Sequence, residues 1–155
     1  MPLGAIVGPA ELMDSLAPEG RVYQAGTLSG NALSMAAGLA SLRELRDQDP
    51  YTKLDALGQH FVSALVDSGI PHARAQRAGS IVWLHLATGE LPRSPDSISL
   101  EAMERYVTHY WALLRRGHHL PPSSYEVMFF STQHTTPQIE KLAGDLTALL
   151  GGTPE

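Results

Sequence analysis

The period of the apolar residues changes repeatedly along this chain, and that alternation constrains its fold more than any other feature. Leu54, Leu57, Phe61 and Leu65 follow helical spacing until Ser68-Gly69 stops the stripe. The run Ser80-Ile-Val-Trp-Leu-His-Leu86 is instead β-rich and apolar on both sides apart from His85, which predicts a strand covered on two faces. Helical spacing returns over Leu100 to Arg116, with Met103, Val107, Tyr110 and Leu114 on one stripe, Ser99 placed to cap it and Gly117 to end it. Leu120 to Ser123 and Val127 to Ser131 read as extended pieces around Ser124-Tyr125-Glu126, and Thr136-Pro137 opens a last helix carrying Ile139, Leu142, Leu146 and Leu149. Such an order suits an α+β unit with a small, mainly antiparallel sheet on one side of its helices.

Upstream of this pattern, the short apolar run Leu3 to Val7, bounded by Gly4, Gly8 and Pro9, predicts the end of a buried strand. Pro9 to Leu16 reads as one or two helical turns, broken by Ala17-Pro-Glu-Gly20. An alanine-rich amphipathic helix is expected from Ala32 to about Asp47, with Met35, Leu39 and Leu42 as its core stripe. Asp49-Pro50 marks a break.

The stretch that feeds this helix, Tyr23-Gln-Ala-Gly-Thr-Leu-Ser-Gly-Asn31, is made of small and hydroxylated residues. It has the makings of a phosphate cradle. Gly26 and Gly30 let the backbone approach a ligand, Thr27 and Ser29 offer hydroxyls, and a new helix presents free N–H groups. Read from the motif alone, Ser29 or Asn31 serves equally as a simple helix N-cap, since this is neither a Walker loop nor a dinucleotide fingerprint.

Composition narrows the function classes. Among 155 residues, 43% are apolar, enough for a core, and 11 Lys plus Arg face 16 Asp plus Glu for a net charge of −5. An acidic chain with no basic run argues against a nucleic acid or an anionic membrane as partner. With no cysteine there are no disulfides or thiolate metal sites, which fits a cytoplasmic protein. Met1 to Ala10 lacks a positive flank and meets Glu11 early, so neither a signal peptide nor a membrane span is expected there.

Taken together, Met1-Pro-Leu-Gly-Ala, Tyr-Gln-Ala-Gly26-Thr27-Leu-Ser-Gly-Asn31 and Leu120-Pro-Pro-Ser-Ser-Tyr-Glu126, in that order, resemble the glutamate-1-semialdehyde 2,1-aminomutase family. This is a branch of the class III pyridoxal-phosphate-dependent aminotransferases, and the resemblance extends along essentially the whole chain but to the C-terminal portion of such an enzyme only. It implies an α/β to α+β fold, the C-terminal part of a fold-type I transferase. Residues 1–48 would then be the end of the large cofactor-binding domain and a connecting helix, and 49–155 the small α+β domain. The implied reaction converts glutamate-1-semialdehyde, a small amino-aldehyde, to 5-aminolevulinate in tetrapyrrole (porphyrin) biosynthesis.

The resemblance also implies roles. Gly26 and Thr27 match positions that reach the cofactor phosphate from the neighbouring subunit of a homodimer, and Glu126 matches an acidic residue at the substrate end, with a positioning role. Tyr23 matches a position near the shared site, although packing explains it as well. Ala32 stands where the family often has proline, which puts the rigidity of the helix start in question. From spacing alone, Glu126 reads as a surface glutamate on an edge. Other open readings are a fragment of another class III aminotransferase and a non-catalytic remnant or dimerisation module.

An aminomutase of this type needs a lysine that binds the cofactor covalently. The two lysines here, Lys53 beside Asp55 and Lys141 beside Glu140, sit in solvated-face contexts, whereas that role needs a desolvated amine. The catalytic lysine is therefore expected from a missing segment or a partner chain. No metal site is expected, since adjacent His118 and His119 would point to opposite faces if extended. His134 is expected to be a loop histidine bonded to backbone, and no nucleophile elbow surrounds Ser123 or Ser124.

Overall fold

The computed structural model describes residues 1–152. The chain divides into two compact units, the first spanning Met1–Asp49 and the second beginning at Pro50.

The first unit holds a single turn of helix, α1 (Ala10–Met13), and a long helix, α2 (Ala32–Gln48). Asn31 starts α2 by accepting the Leu33 and Ser34 N–H groups on its side-chain oxygen, both at 3.1 Å. Asp49, in the left-handed region at φ 39°, ends it, returning its N–H to the Leu45 carbonyl at 3.1 Å. Leu3 to Val7 forms no strand and is exposed, because a strand needs neighbours to accept its backbone groups. The expected core stripe of α2 is also exposed, with Met35 at 51%, Leu39 at 50% and Leu42 at 63%. In this unit Ser34 alone is buried.

The second unit is built from α3 (Tyr51–Asp67), β1 (Arg74–Ala78), β2 (Ile81–His85), α4 (Leu100–Arg115), β3 (Met128–Phe129) and α5 (Thr136–Gly151). Its three strands form one antiparallel sheet in the order β1-β2-β3. Ala78 pairs with Ile81 across a two-residue turn whose Gly79 takes φ 58°, a conformation open to glycine. Helix α3 comes so close to that turn that a Cβ on Gly58 would collide with the Gly79 carbonyl oxygen. β3 joins through Val82↔Met128 and Ile81↔Phe129.

Side chains of α3, α4, α5 and the sheet close one core, in which Phe61, Val82 and Leu146 are fully buried and Leu65, Leu113 and Ile139 nearly so. Phe61 and Phe130 meet edge to face with centroids 5.7 Å apart. Thr135 and Gln138 start α5, with the Thr135 N–H donating to the Gln138 side-chain oxygen at 2.9 Å.

Three elements of the second unit also differ from expectation. β1 was not predicted, because Arg-Ala-Gln-Arg-Ala carries too little apolar bulk to register as a strand; its alternating half-burial comes from Ala75 and Arg77. Arg77 lies back along α3, bonding Asp55 at 2.6 Å and Gln59 at 2.7 Å. The buried stripe of α4 runs one residue earlier than expected, through Ala102, Tyr106, His109 and Leu113. Burial is possible there because the polar tips are satisfied, Tyr106 Oη donating to the Pro121 carbonyl at 2.7 Å and His109 Nδ1 lying 2.7 Å from the Arg105 carbonyl. Finally, β2 is fully covered on one face only: Val82 and Leu84 are buried, whereas on the other face Ile81 remains 38% exposed.

Candidate functional site

The residues singled out from sequence fall in two places, one in each unit. Gly26 and Thr27 stand in the turn before α2, both exposed. The turn is shaped by Ser29 N–H donating to the Gly26 carbonyl at 2.9 Å, Asn31 N–H donating to Leu28 at 3.1 Å, and Gly30 at φ 70°. Asn31 occupies two of the free N–H groups at the start of α2, so the helix end itself is already capped. What remains for a ligand is the Thr27 hydroxyl with the N–H groups of Gly26 and Thr27, which have no backbone partner among the described residues. A Cβ on Gly26 would stand 2.9 Å from Ser29 Oγ, so a side chain there would crowd the same surface. Three exposed donors on a short turn suit the oxygens of a phosphate.

Glu126 lies in the segment from Leu120 to Val127, and its carboxylate side is exposed. Two aromatic side chains hold this segment from below. Tyr106 on α4 donates to the Pro121 carbonyl at 2.7 Å, and Trp83 Nε1 on β2 donates to the Ser124 carbonyl at 2.7 Å. Locally, Glu126 N–H donates to the Ser123 carbonyl at 3.1 Å and Tyr125 N–H to Ser123 Oγ at 3.2 Å. Burial, with the Glu126 charge second and Tyr110 third, pushes the Tyr106 phenol up to about 12. Tyr106 thus stays protonated and remains a donor at any physiological pH.

Trp83 stacks at a tilt on His85, with ring centroids 5.2 Å apart. Burial lowers the pKa of His85, which keeps the imidazole neutral beneath the indole. Neither Trp83 nor Tyr106 stood out in the sequence as a site residue. The available signal was their chemistry, since a half-buried Trp or Tyr places its one polar atom on a backbone acceptor.

Both lysines are exposed. Lys53 Nζ donates to the Thr132 carbonyl at 2.8 Å, and Lys141, 60% exposed, pairs with Asp145 at 2.7 Å. Both amines are thus exposed and already hydrogen-bonded. His134 is bonded locally, its Nδ1 accepting the Ser131 N–H at 2.9 Å. His118 does have an acidic partner that spacing in sequence did not reveal: its Nε2 lies 2.7 Å from Asp145 on α5. Among the described residues no helix is long and apolar enough to cross a membrane, and no three His, Cys, Asp or Glu side chains are grouped to hold a metal ion.

Comparison with known proteins gives the following. No family model matches the chain. The glutamate-1-semialdehyde 2,1-aminomutase of Methylacidiphilum infernorum is 40% identical over 146 residues, covering 92% of this chain and 33% of that enzyme. The aminomutase of Thermus thermophilus is 41% identical over 147 residues, 91% of this chain and 34% of the enzyme. The chain therefore spans about a third of the length of the curated relatives it matches. Among solved structures, an omega-transaminase from Sphaerobacter thermophilus superimposes with a TM-score of 0.76 at 24% identity, covering 93% of this chain and 34% of that one. The expected fold class, the C-terminal part of a fold-type I transferase with a small antiparallel sheet and helices, agrees with this likeness.

Proposed function

We propose that this chain, a sequence relative of the glutamate-1-semialdehyde 2,1-aminomutases over nine-tenths of its length, is the C-terminal portion of such an enzyme and acts in making 5-aminolevulinate for tetrapyrroles. The observation that carries the reading is identity of about 40% sustained over 146 residues. On this reading residues 1–48 belong to the end of a cofactor-binding domain and 49–155 to the small domain, and the protein works in the cytoplasm.

Pyridoxal phosphate, when bound, supplies an electron sink that loosens the bonds at the amino-bearing carbon. The tasks of this chain are binding and positioning. The Thr27 hydroxyl and the N–H groups of Gly26 and Thr27 hold phosphate oxygens of the cofactor in a neighbouring subunit of a homodimer. Asn31 fixes the helix start, so the turn needs no reordering when phosphate arrives. Glu126 orients the substrate by pairing with a cation or accepting a hydrogen bond, on a segment that Tyr106 and Trp83 keep from moving. Since neither lysine is desolvated, the covalent lysine comes from a segment or chain beyond this sequence.

The test is titration of the 155-residue chain with pyridoxal phosphate, borohydride reduction and mass analysis, repeated with a polypeptide carrying the remaining two-thirds of the Thermus thermophilus relative. The expected result is no stoichiometric lysine adduct on this chain alone, and aminomutase turnover only in the mixture. A stoichiometric adduct on Lys53 or Lys141 would overturn the assignment of the lysine to another chain.

A second reading has an observation of its own. Ile6 at 75%, Val7 at 90%, Leu33 at 65% and Leu42 at 63% exposure make the first unit rich in apolar surface, as in a non-catalytic dimerisation module. Turnover in the mixture separates the two, since a module would associate without restoring activity.

A further inference from the structure

The second unit contains a cavity of about 680 Å³, in the size range of small-molecule sites, and Glu126 does not line it. The ionisable residues of its wall are Arg116, His118, His119, His134 and Lys141, and no carboxylate is among them, although acids outnumber bases in the chain, 16 to 11. The apolar part of the wall includes the buried residues Met128, Phe130 and Ile139. A basic wall over an apolar floor in an acidic protein calls for a reason.

Local helix capping supplies only part of one. Lys141 Nζ does lie 3.4 Å from the Arg116 carbonyl just after α4 and 3.3 Å from His118 Nε2, and Asp145 gathers Lys141 at 2.7 Å, His118 at 2.7 Å and Arg116 at 3.3 Å. But Asp145, which holds these bases together, is not itself a lining residue of the cavity. One carboxylate against two permanent cations leaves the wall positive even with every imidazole neutral. His119 and His134 take no part in the Asp145 cluster. Because His134 Nδ1 accepts the Ser131 N–H at 2.9 Å, its neutral form carries the proton on Nε2, a donor free for a ligand. Bases already pinned lose little freedom on binding, and a concave wall concentrates their field.

We infer that this cavity binds a small organic anion, a carboxylate or phosphate carried on an apolar body, with the charge met by Lys141, Arg116 and the histidines and the body lying on Phe130 and Ile139. The inference stands apart from the cofactor assignment, since it involves neither Gly26, Thr27 nor Glu126.

Chemical-shift titration of the whole chain with benzoate, phenyl phosphate and neutral benzamide tests it. At least one anion should bind and benzamide should not; whichever anion binds names the group. Lys141→Gln should weaken that anion about tenfold, since it removes one positive charge from the wall, while Lys53→Gln leaves it unchanged. Should Lys141→Gln unfold the unit, as circular dichroism would reveal, the exposed His119→Gln takes its place and should also weaken binding. Benzamide binding as well as benzoate would reduce the cavity to an apolar hole. No binding by either anion, or equal weakening by Lys53→Gln, would likewise overturn the inference.

Discussion

Met1–Asp49 and the unit that begins at Pro50 each contain a 17-residue helix, yet they hold those helices by different means. α3 buries Leu57, Phe61 and Leu65 in a core shared with the sheet and α5. α2 buries only Ser34 and owes its ends to Asn31 and Asp49, with its apolar side chains exposed. Capping and propensity thus suffice to specify where a helix starts and stops, whereas its stability comes from the face it buries. The first unit has apolar stripes and no core to close over them.

The contrast breaks first at the core. Phe61→Ala removes a fully buried ring packed on Phe130 and should cost about 3–5 kcal/mol, enough to abolish the thermal transition of the second unit in a calorimetric scan. If the unit melts unchanged, the core around Phe61 does not hold it. Next comes Tyr106→Phe, which leaves the Pro121 carbonyl without its donor and should cost about 1–2 kcal/mol. Amide exchange over residues 120–127 should accelerate with it, whereas exchange in α2 should not change.

Asp145 gives a pH test. Hydrogen bonds from Lys141 first and His118 second lower its carboxyl to about 2, below its unfolded value, so its stabilising contribution is complete above the ordinary carboxylate range. It should fade as pH falls from about 4 towards 2, by on the order of 1 kcal/mol after solvent screening. Asp145→Asn should flatten denaturant midpoints across that window; an unchanged acid limb would mean the cluster contributes nothing to folding.

The smallest effects belong to the first unit. Leu42→Ala should change overall stability by less than about 0.5 kcal/mol, since the side chain is already 63% exposed. Asn31→Ala should fray the start of α2, seen as faster exchange of the Leu33 and Ser34 amides, while leaving the melting of the second unit where it was. A loss of 2 kcal/mol or so from Leu42→Ala would reveal burial of α2 that the exposed face does not predict.

Which of these features could be read from sequence follows from their range. Helix periods and stops are local, so α3, α5, Gly117 and the break at Asp49-Pro50 were legible, and Asn31 was one of the two caps the motif offers. β1 was not, since its five residues become a strand through pairing with β2 and the clamp of Arg77 on α3. The stripe of α4 slipped by one residue because apolar periodicity ignores Tyr106 and His109, which are buried only once Pro121 and Arg105 lend them acceptors. Gly26, Thr27 and Glu126 are candidates through resemblance alone. The tethers from Trp83 and Tyr106 were not legible, because they join residues 41 and 15 positions apart. The same distance hid Asp145 from His118, 27 residues away.

Gly58 has a consequence for how this chain can diversify. Any side chain at that position strikes the backbone oxygen of Gly79, an atom that cannot swing aside, whereas one at Gly38 meets only the tip of Leu3. In a library of all single substitutions, position 58 should stand as a wall and position 38 as open ground. Drift in the helix and drift in the hairpin are thereby yoked: a lineage can relax the first only after it has rebuilt the second.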